Sequence, residues 1–329
     1  MRGAARRKAL RATAARLALA AVGVGAVTAA PAFAQTGMTP YGNLDVALSR
    51  QSGGATLVDR GYNNWLGVRG EEDLGAGLAA TMKLETRFMP DSGALERPLT
   101  FWQGESTVGL KQAGVGSVRV GRAMTPLWIS IWEYEPWSNS AFNASLAAYQ
   151  TGAYTSDGVF DTERGFADFS RISDGVFLDS EAVGGVRLGV ATQVERPAPA
   201  SRRAVSAALN VARGRVKAMA SSERNRNGDR IHALAASYAF GRLTVMGSVA
   251  RTRLLMREHE WVGVAAATYA WRTGTLRAGY GRNSASGHHK VGLGYVHPLS
   301  VRTGLYADVF REQAAGVKHG YAIGMTHTF

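Results

Sequence analysis

The residues of this chain best suited to acid–base or metal chemistry are its seven histidines, because an imidazole can act as a general base or as a metal ligand. A hydrolase would need such a base beside a nucleophile, and no histidine belongs to a recognisable Ser/His or metal-ligand motif. His288 and His289 are adjacent, so in a strand they point to opposite faces and cannot bind one ion together. The others are His232, His259, His297, His319 and His327. With no cysteine for thiolate sites or disulfides, the sequence predicts no catalytic residue, no metal and no cofactor.

Charged residues spaced two apart offer a different kind of chemistry. Lys83, Glu85 and Arg87 would share one face of a strand, because side chains alternate with a period of two. Basic and acidic groups that face each other across a narrow passage create a field that orients water and polar solutes. Such residues form no covalent bond with a solute. Their effect depends on the strands and loops that hold them around an opening.

The first segment has the pattern of a targeting sequence. Residues 1–16 carry six basic residues and no acid, residues 17–30 are an apolar run, and Ala32-Phe33-Ala34 follows. The run is shorter than the roughly 20 residues needed to span hydrocarbon, so we predict a secretory signal peptide over 1–34. Residues 35–329 then form the mature domain. Their basic residues are scattered along the chain, which gives no sign of nucleic-acid binding.

The mature chain alternates between apolar and polar residues with a period of two, the pattern of half-buried strands. Turn residues divide it into sixteen predicted strands. These cover 39–49, 62–72, 77–89, 99–111, 115–123, 168–179, 184–194, 204–212, 214–222, 229–239, 241–251, 259–270, 272–282, 288–297, 301–310 and 318–329. Short turns alternate with longer polar loops, the asymmetry of outer-membrane barrels. The predicted fold class is all-β, a 16-stranded antiparallel transmembrane β-barrel, and residues 35–329 are its outer-membrane barrel domain.

One long segment, about 123–166, interrupts this rhythm. Connections of this length are usually functional or disordered, and disordered segments are poor in aromatic residues. This one is rich in them, including Trp128, Trp132, Tyr134 and Trp137. We therefore expect it to fold inward, since the lumen of a sixteen-strand barrel is wide enough to receive it.

Several segments resemble one family, the general trimeric porins of Gram-negative, β-proteobacterial type. They are Tyr41-Gly-Asn-Leu-Asp45, the run Trp65–Leu78, Val118-Arg-Val-Gly-Arg122, Tyr295–Tyr306 and the ending Gly324–Phe329. The resemblance implies a homotrimer of sixteen-strand barrels in the outer membrane, with contacts to the lipid bilayer and lipopolysaccharide. It also implies a third loop (about 123–166) that narrows a pore for small polar solutes and ions. The aromatic third loop departs from the glycine-rich motif that is usual in this family.

In this family a basic cluster usually faces acids of the third loop across the constriction. The basic residues that strand alternation and the resemblance together place there are Arg69, Lys83, Arg87, Arg119 and Arg122. The acids available in the third loop are Glu133, Glu135, Asp157, Asp161 and Glu163. Alternation also points the acids Glu71, Glu85 and Glu105 of these strands inward. The five bases of the strands outnumber these three acids, so we expect an anion preference.

Other interpretations stay open at this point. The third-loop aromatics Trp128, Trp132, Tyr134 and Trp137 could form a path that favours particular solutes, giving a substrate-preferring channel, or they could hold the loop against the wall. An outer-membrane barrel enzyme would share the signal and strands but needs a catalytic constellation. A soluble periplasmic β-protein would also alternate. Phe329 resembles the terminal signal read by the barrel-insertion machinery, and Tyr321–Phe329 would place it on a lipid-facing stripe.

Overall fold

The computed structural model describes residues 37–138, 144–152, 169–195, 202–254, 257–314 and 316–329. The predicted signal peptide, 1–34, lies outside them. In the described part of the chain, seventeen strands form one antiparallel sheet. In chain order they are β1 Gly37–Gln51, β2 Thr56–Asp59, β3 Trp65–Gly75, β4 Leu78–Arg87, β5 Glu105–Gln112, β6 Gly116–Met124, β7 Arg171–Ser180, β8 Val186–Gln193, β9 Val205–Arg213, β10 Val216–Arg224, β11 Arg230–Phe240, β12 Leu243–Leu254, β13 Arg257–Trp271, β14 Gly274–Asn283, β15 His289–Pro298, β16 Thr303–Gln313 and β17 Val317–Thr328.

The sheet closes on itself through its first strand. One part of β1 pairs with β17, from Asn43 opposite Thr328 to Gln51 opposite Gly320, and the other part pairs with β3, starting with Gly37 opposite Glu71. β2 lies in the predicted loop 50–61 and adds only four residue pairs to the end of β1. The predicted closed barrel of sixteen strands is confirmed, and β2 is an additional short strand within a loop.

The largest difference in strand bounds concerns the predicted strand 99–111, which begins only at Glu105. The backbone before it turns, because the N–H of Thr100 donates to the carbonyl of Arg97 at 3.0 Å. Pairing resumes where the N–H of Gly104 donates to the carbonyl of Glu85 at 2.9 Å. Leu99 and Phe101 are apolar and two residues apart, which is the pattern of a strand, but both are exposed in this turn.

The two faces of the strands differ as the alternation predicts. In β16, Leu305 and Val309 are exposed on the outside, whereas Tyr306, Asp308 and Phe310 are buried on the inside. A soluble protein rarely exposes a continuous apolar surface of this extent. The outward face therefore has the apolar character of a membrane-spanning surface, which argues against a soluble periplasmic protein.

The connections at the two ends of the barrel differ in length. At one end the strands are joined by tight turns, as at Gly214 (φ 58°) and Gly241 (φ 64°), where a left-handed backbone favours glycine. At the other end lie the longer loops, including the third loop, which here connects β6 to β7 across 125–170. Outer-membrane barrels place short turns in the periplasm and long loops outside the cell, and this defines the periplasmic and extracellular ends used below.

The third loop contains the helices of the described chain. A helix spans Pro126–Ile131, a 3₁₀ turn Trp132–Tyr134, and a second short helix Ala148–Thr151. The first begins at Thr125, whose hydroxyl accepts from the N–H of Trp128 at 3.2 Å. None of the helices in the described residues is long and apolar enough to cross a membrane. The main apolar clusters lie where this loop meets the inner faces of the strands.

Candidate functional site

The third loop is attached to the inner wall by a buried charged network. Trp137 Nε1 donates to Asp308 Oδ1 at 3.0 Å, and Arg277 binds both oxygens of the same carboxylate at 2.7–3.0 Å. Arg277 also donates to the hydroxyl of Tyr62. A second bond joins the Tyr149 hydroxyl to Glu312 Oε1 at 2.7 Å. Because these partners belong to β14 and β16, the described loop covers that side of the barrel.

Glycines on the inner face make room for the loop. A Cβ added at Gly281 would lie 2.6 Å from Tyr149 Cγ, and one at Gly292 would lie 2.8 Å from Trp137 Cη2. Contacts this short would force the neighbouring ring to move. The sequence shows these glycines, but a glycine in a strand has several explanations, so their partners could not be identified from it.

The third-loop aromatics pack against the wall. Trp128 is 4% exposed, Tyr134 2% and Trp137 0%. Trp132 is partly buried, and its ring meets that of Trp128 edge-on with centroids 6.1 Å apart. Rings buried to this degree present little surface to a solute. The structure thus places these residues in contacts that hold the loop, and a solute path lined by them has no support from the described residues.

The inner wall opposite the attached loop, formed by β3 to β7, carries alternating bases and acids. Glu105 lies between Lys83 Nζ at 2.9 Å and Arg119 Nη1 at 2.5 Å. Arg119 also binds Asp179 Oδ2 at 3.0 Å. The lysine ammonium lies 5.5 Å from the centre of the Tyr41 ring, a cation–π distance.

The predicted basic residues come together on this wall. Arg69 is exposed, with its guanidinium 5.7 Å from the centre of the Tyr41 ring. Arg87 is buried, and its Nε lies 3.8 Å from Glu85 Oε1. Arg122, at the extracellular end of β6, donates to the carbonyl of Gln103 at 3.1 Å and to the Ser173 hydroxyl at 2.6 Å.

A further basic group, Arg60 in the segment between β2 and β3, lies at the extracellular end of this wall and contacts the loop between β4 and β5. Arg60 binds Glu96 at 2.9 Å. Burial alone would raise the pKa of the Glu96 carboxyl, but the guanidinium groups of Arg60, Arg87 and Arg171 outweigh burial and lower that pKa. Glu96 is therefore held in its charged form by an arginine cluster at the extracellular mouth.

The two third-loop acids that the structure describes, Glu133 and Glu135, lie away from the basic wall. Glu133 binds Lys217 of β10 at 2.8 Å, on the wall that the loop already covers. Glu135 is 1% exposed and turns back into the loop, accepting from the N–H of Trp137 at 3.1 Å and from the Ser145 hydroxyl at 3.2 Å. Asp157, Asp161 and Glu163 lie outside the described residues. In the described structure, the acids that meet the basic wall come from the wall itself.

Two polar cavities share this wall. One, of about 800 Å³, lies between the helix Pro126–Ile131 and the strands, and is lined by Arg119, Arg187 and Lys217 among others. The other, of about 370 Å³, is lined by Arg69, Lys83 and Arg119. Sequence reasoning did not assign Arg187 and Lys217 to the site, although alternation in β8 and β10 already placed them on one face of their strands. Among the described residues, no group of histidines and acids could hold a metal ion.

Comparisons with known proteins agree with this geometry. A sequence profile described as Gram-negative porin matches residues 18–314. The fold is similar to an anion-selective porin from Comamonas acidovorans, with 20% identity and a TM-score of 0.75 over 90% of this chain and 100% of that one. It is also similar to the trimer form of OmpT from Vibrio cholerae (13% identity, TM-score 0.64, 89% and 99% covered). Salmonella typhi OmpF is a third similar structure, with 14% identity and a TM-score of 0.67 over 89% of this chain and 97% of that one. Among curated proteins there is no match.

Proposed function

Since this chain belongs to the family of Gram-negative porins, it is an outer-membrane channel for passive diffusion of small solutes, and we propose that its pore favours anions. Family and fold are those of a channel and not of an enzyme. The observation that carries the proposal is the basic wall of β3 to β7, which the described part of the third loop leaves uncovered.

The balance of charge on this wall supports the proposal. The bases are Arg69, Lys83, Arg87, Arg119 and, at the extracellular end, Arg60, Arg122 and Arg171. The acids in contact with them are Glu85, Glu96, Glu105 and Asp179. Among the described residues of this wall, positive charge is therefore in excess. A charged lining of one sign raises the local concentration of ions of the other sign.

Two further inferences accompany this function. The structurally similar porin from Comamonas acidovorans is described as anion-selective, which supports the same preference here. A similar OmpT structure is a trimer form, and we infer a homotrimer for this chain as well. We also keep the proposals that Phe329 is read by the barrel-insertion machinery and that residues 1–34 are removed on export.

The ion preference can be tested by reversal potentials in planar bilayers with a salt gradient. We expect the wild type to be anion-selective. Lys83→Gln should lower the anion-to-cation permeability ratio and Glu105→Gln should raise it, each about two- to threefold, the effect of one charge at roughly 7 Å in water. The two side chains form one ion pair. If the only effect of either substitution were to break this pair, the permeability ratio would change in the same direction in both variants.

Arg242→Gln provides the matched control, since it removes a charge from an exposed periplasmic turn. Its permeability ratio should equal that of the wild type. The proposal would be contradicted by a cation-selective wild type. It would also be contradicted if Lys83→Gln and Glu105→Gln changed the permeability ratio equally and in the same direction.

A further inference from the structure

The cavity of about 800 Å³ under the third loop lies on the periplasmic side of the helix Pro126–Ile131. Its lining includes Gly116 and Gly185, which adjoin tight periplasmic turns, and we name it the periplasmic cavity. Arg187, which also lines it, shares the inner face of β8 with Ala191, a residue 1% exposed and packed inside the barrel. The cavity therefore belongs to the lumen. Its volume lies within the range of about 300–1,000 Å³ that small-molecule sites occupy.

One edge of the periplasmic cavity is apolar. On the helix, Leu127 and Ile131 are 0% exposed and pack against the strands, whereas Ile129 is 47% exposed and lines the cavity. Pro126 lines the cavity as well. Because the lumen of an outer-membrane barrel is expected to be polar, this edge exposes hydrocarbon to pore water. An apolar group of a solute that covered the Ile129 side chain would gain free energy by removing both surfaces from water.

The facing edge of the cavity carries a guanidinium group that has no acidic partner. Arg187 is exposed and forms no ion pair within the described part of the chain. Glu181, in the turn before β8, also lines the cavity but is not paired with it. The other bases in the lining bind acids, Lys111 with Glu71, Arg119 with Asp179 and Lys217 with Glu133. Arg187 is therefore the base of this cavity whose charge is left for a solute.

Contacts of the helix with β8 and β9 fix the separation of the two edges. Asn210, which lies directly opposite Arg187, donates from Nδ2 to the Ser130 hydroxyl at 2.9 Å. Gly189, two residues from Arg187 on the same face, adjoins the helix, because an added Cβ would lie 3.1 Å from Pro126 Cβ. Two residues along a strand correspond to about 7 Å. The guanidinium group and the apolar edge are thus close enough for one small solute to contact both.

We propose that the periplasmic cavity binds a small monocarboxylate with an apolar body, with the carboxylate on Arg187 and the body on Ile129 and Pro126. A guanidinium group matches a carboxylate through two parallel charge-assisted hydrogen bonds. An inorganic anion would leave Ile129 in contact with water, and a neutral hydrocarbon would leave Arg187 without a partner. The inference rests on the proposed function, since the solute must enter the channel to reach the cavity, and it names a class of anion that the channel retains.

The experiment measures dissociation constants from the block of potassium chloride current through the purified whole protein in planar bilayers. The probes at pH 7 are benzoate, acetate, which has the charge without the ring, and benzyl alcohol, which has the ring without the charge. Benzoate should bind at least about tenfold more tightly than either of the others. Arg187→Gln should weaken benzoate binding at least about tenfold, the loss expected for one charge-assisted hydrogen bond. Ile129→Ser should weaken it about three- to tenfold, since it removes part of the apolar contact.

Two control variants accompany these measurements. Ile129→Leu keeps the apolar surface, and Arg215→Gln removes a charge from an exposed periplasmic turn. Both should bind benzoate like the wild type. Ile129→Ser removes no charge, so its anion-to-cation permeability ratio in potassium chloride alone should equal that of the wild type.

Equal binding of benzoate and acetate would overturn the proposal, and so would equal benzoate binding by the wild type and Ile129→Ser. A loss in Ile129→Leu as large as that in Ile129→Ser would also overturn it, because the packing of the helix would then be the cause. These results in an anion-selective wild type would contradict the site alone. A cation-selective wild type would contradict the proposed ion preference, so the two failures are distinguishable.

Discussion

At the scale of single residues, the pore wall keeps its acids in contact with its bases. Glu105 binds two cations, and Glu96 lies among three arginines. The Glu96 carboxylate stabilises the fold only while it is charged, because its pKa is lowered by the three guanidinium groups against the effect of burial. Alternation predicted that Lys83, Glu85 and Glu105 face inward, but the identity of each partner depends on strand register, which the sequence does not specify. The expectation that third-loop acids face this wall came from the family resemblance, and Asp157, Asp161 and Glu163 lie outside the described residues.

Glu96 offers a test by pH. Its pKa is lowered in the folded protein, so its contribution is present above the unfolded pKa of about 4.3 and is lost as pH falls through the folded value. Glu96→Gln should therefore lower the temperature at which the compact, fast-migrating form disappears on gels by about 2–4 °C at pH 7. At a pH below the pKa of Glu96 in the folded protein, the variant and the wild type should unfold at the same temperature.

Glu181→Gln, at an exposed periplasmic turn, is the control. Its unfolding temperature should equal that of the wild type at both pH values. An equal decrease for Glu96→Gln at both pH values would show that the amide disturbs packing and that charge is not the cause.

At the scale of elements, the described part of the third loop is packed against one side of the barrel. Its aromatic content predicted that it must bury its rings somewhere. The sequence could not predict that β8 to β16 receive them, because the receiving features are glycines and alanines that look like ordinary strand residues. The attachment through Trp137 and Asp308 joins residues 171 positions apart, which no local pattern reveals.

Gly281→Ala tests this attachment. The new methyl group would lie 2.6 Å from Tyr149 Cγ, so the ring and its helix must move away from the wall, which means toward the pore. Single-channel conductance should fall. Gly304→Ala is the matched control, because its nearest neighbours would be 3.8 Å away on the same inner face. Equal conductance of the two variants would show that the loop position does not limit the pore.

At the scale of the whole molecule, the barrel depends on the seam where β1 meets both β17 and β3. Gly42 and Phe329 exchange two backbone hydrogen bonds of 3.2 Å, and the Thr326 hydroxyl donates to Asn43 Oδ1 at 2.8 Å. Two-residue alternation was enough to predict sixteen strands and a lipid-facing stripe with Tyr321, Ile323 and Met325, which are exposed as expected. It could not predict that β1 divides its pairing, since register across the seam depends on residues at opposite ends of the chain.

Gly42→Val should interrupt the seam. A Cβ at this position would lie 2.7 Å from the carbonyl oxygen of Trp65 and 2.5 Å from Phe329 Cζ, and the backbone oxygen cannot move without loss of strand pairing. We expect a large decrease in the folded fraction seen on unheated gels. Gly37→Val, on the same strand with open space around it, should fold like the wild type. Normal folding of Gly42→Val would show that the seam tolerates displacement.

The seam also sets an order of events in time. Hairpin partners are joined by a few residues, whereas the bond between Thr326 and Asn43 closes a loop of 283. The entropy lost on closing a chain grows with its length, so the hairpins form first and the seam forms last. Until then β1 and β17 each present a row of unpaired amide and carbonyl groups, which hydrocarbon does not tolerate. The incomplete barrel is thus a transient species with two unpaired strand edges. A protein that binds these edges is released when β1 and β17 pair.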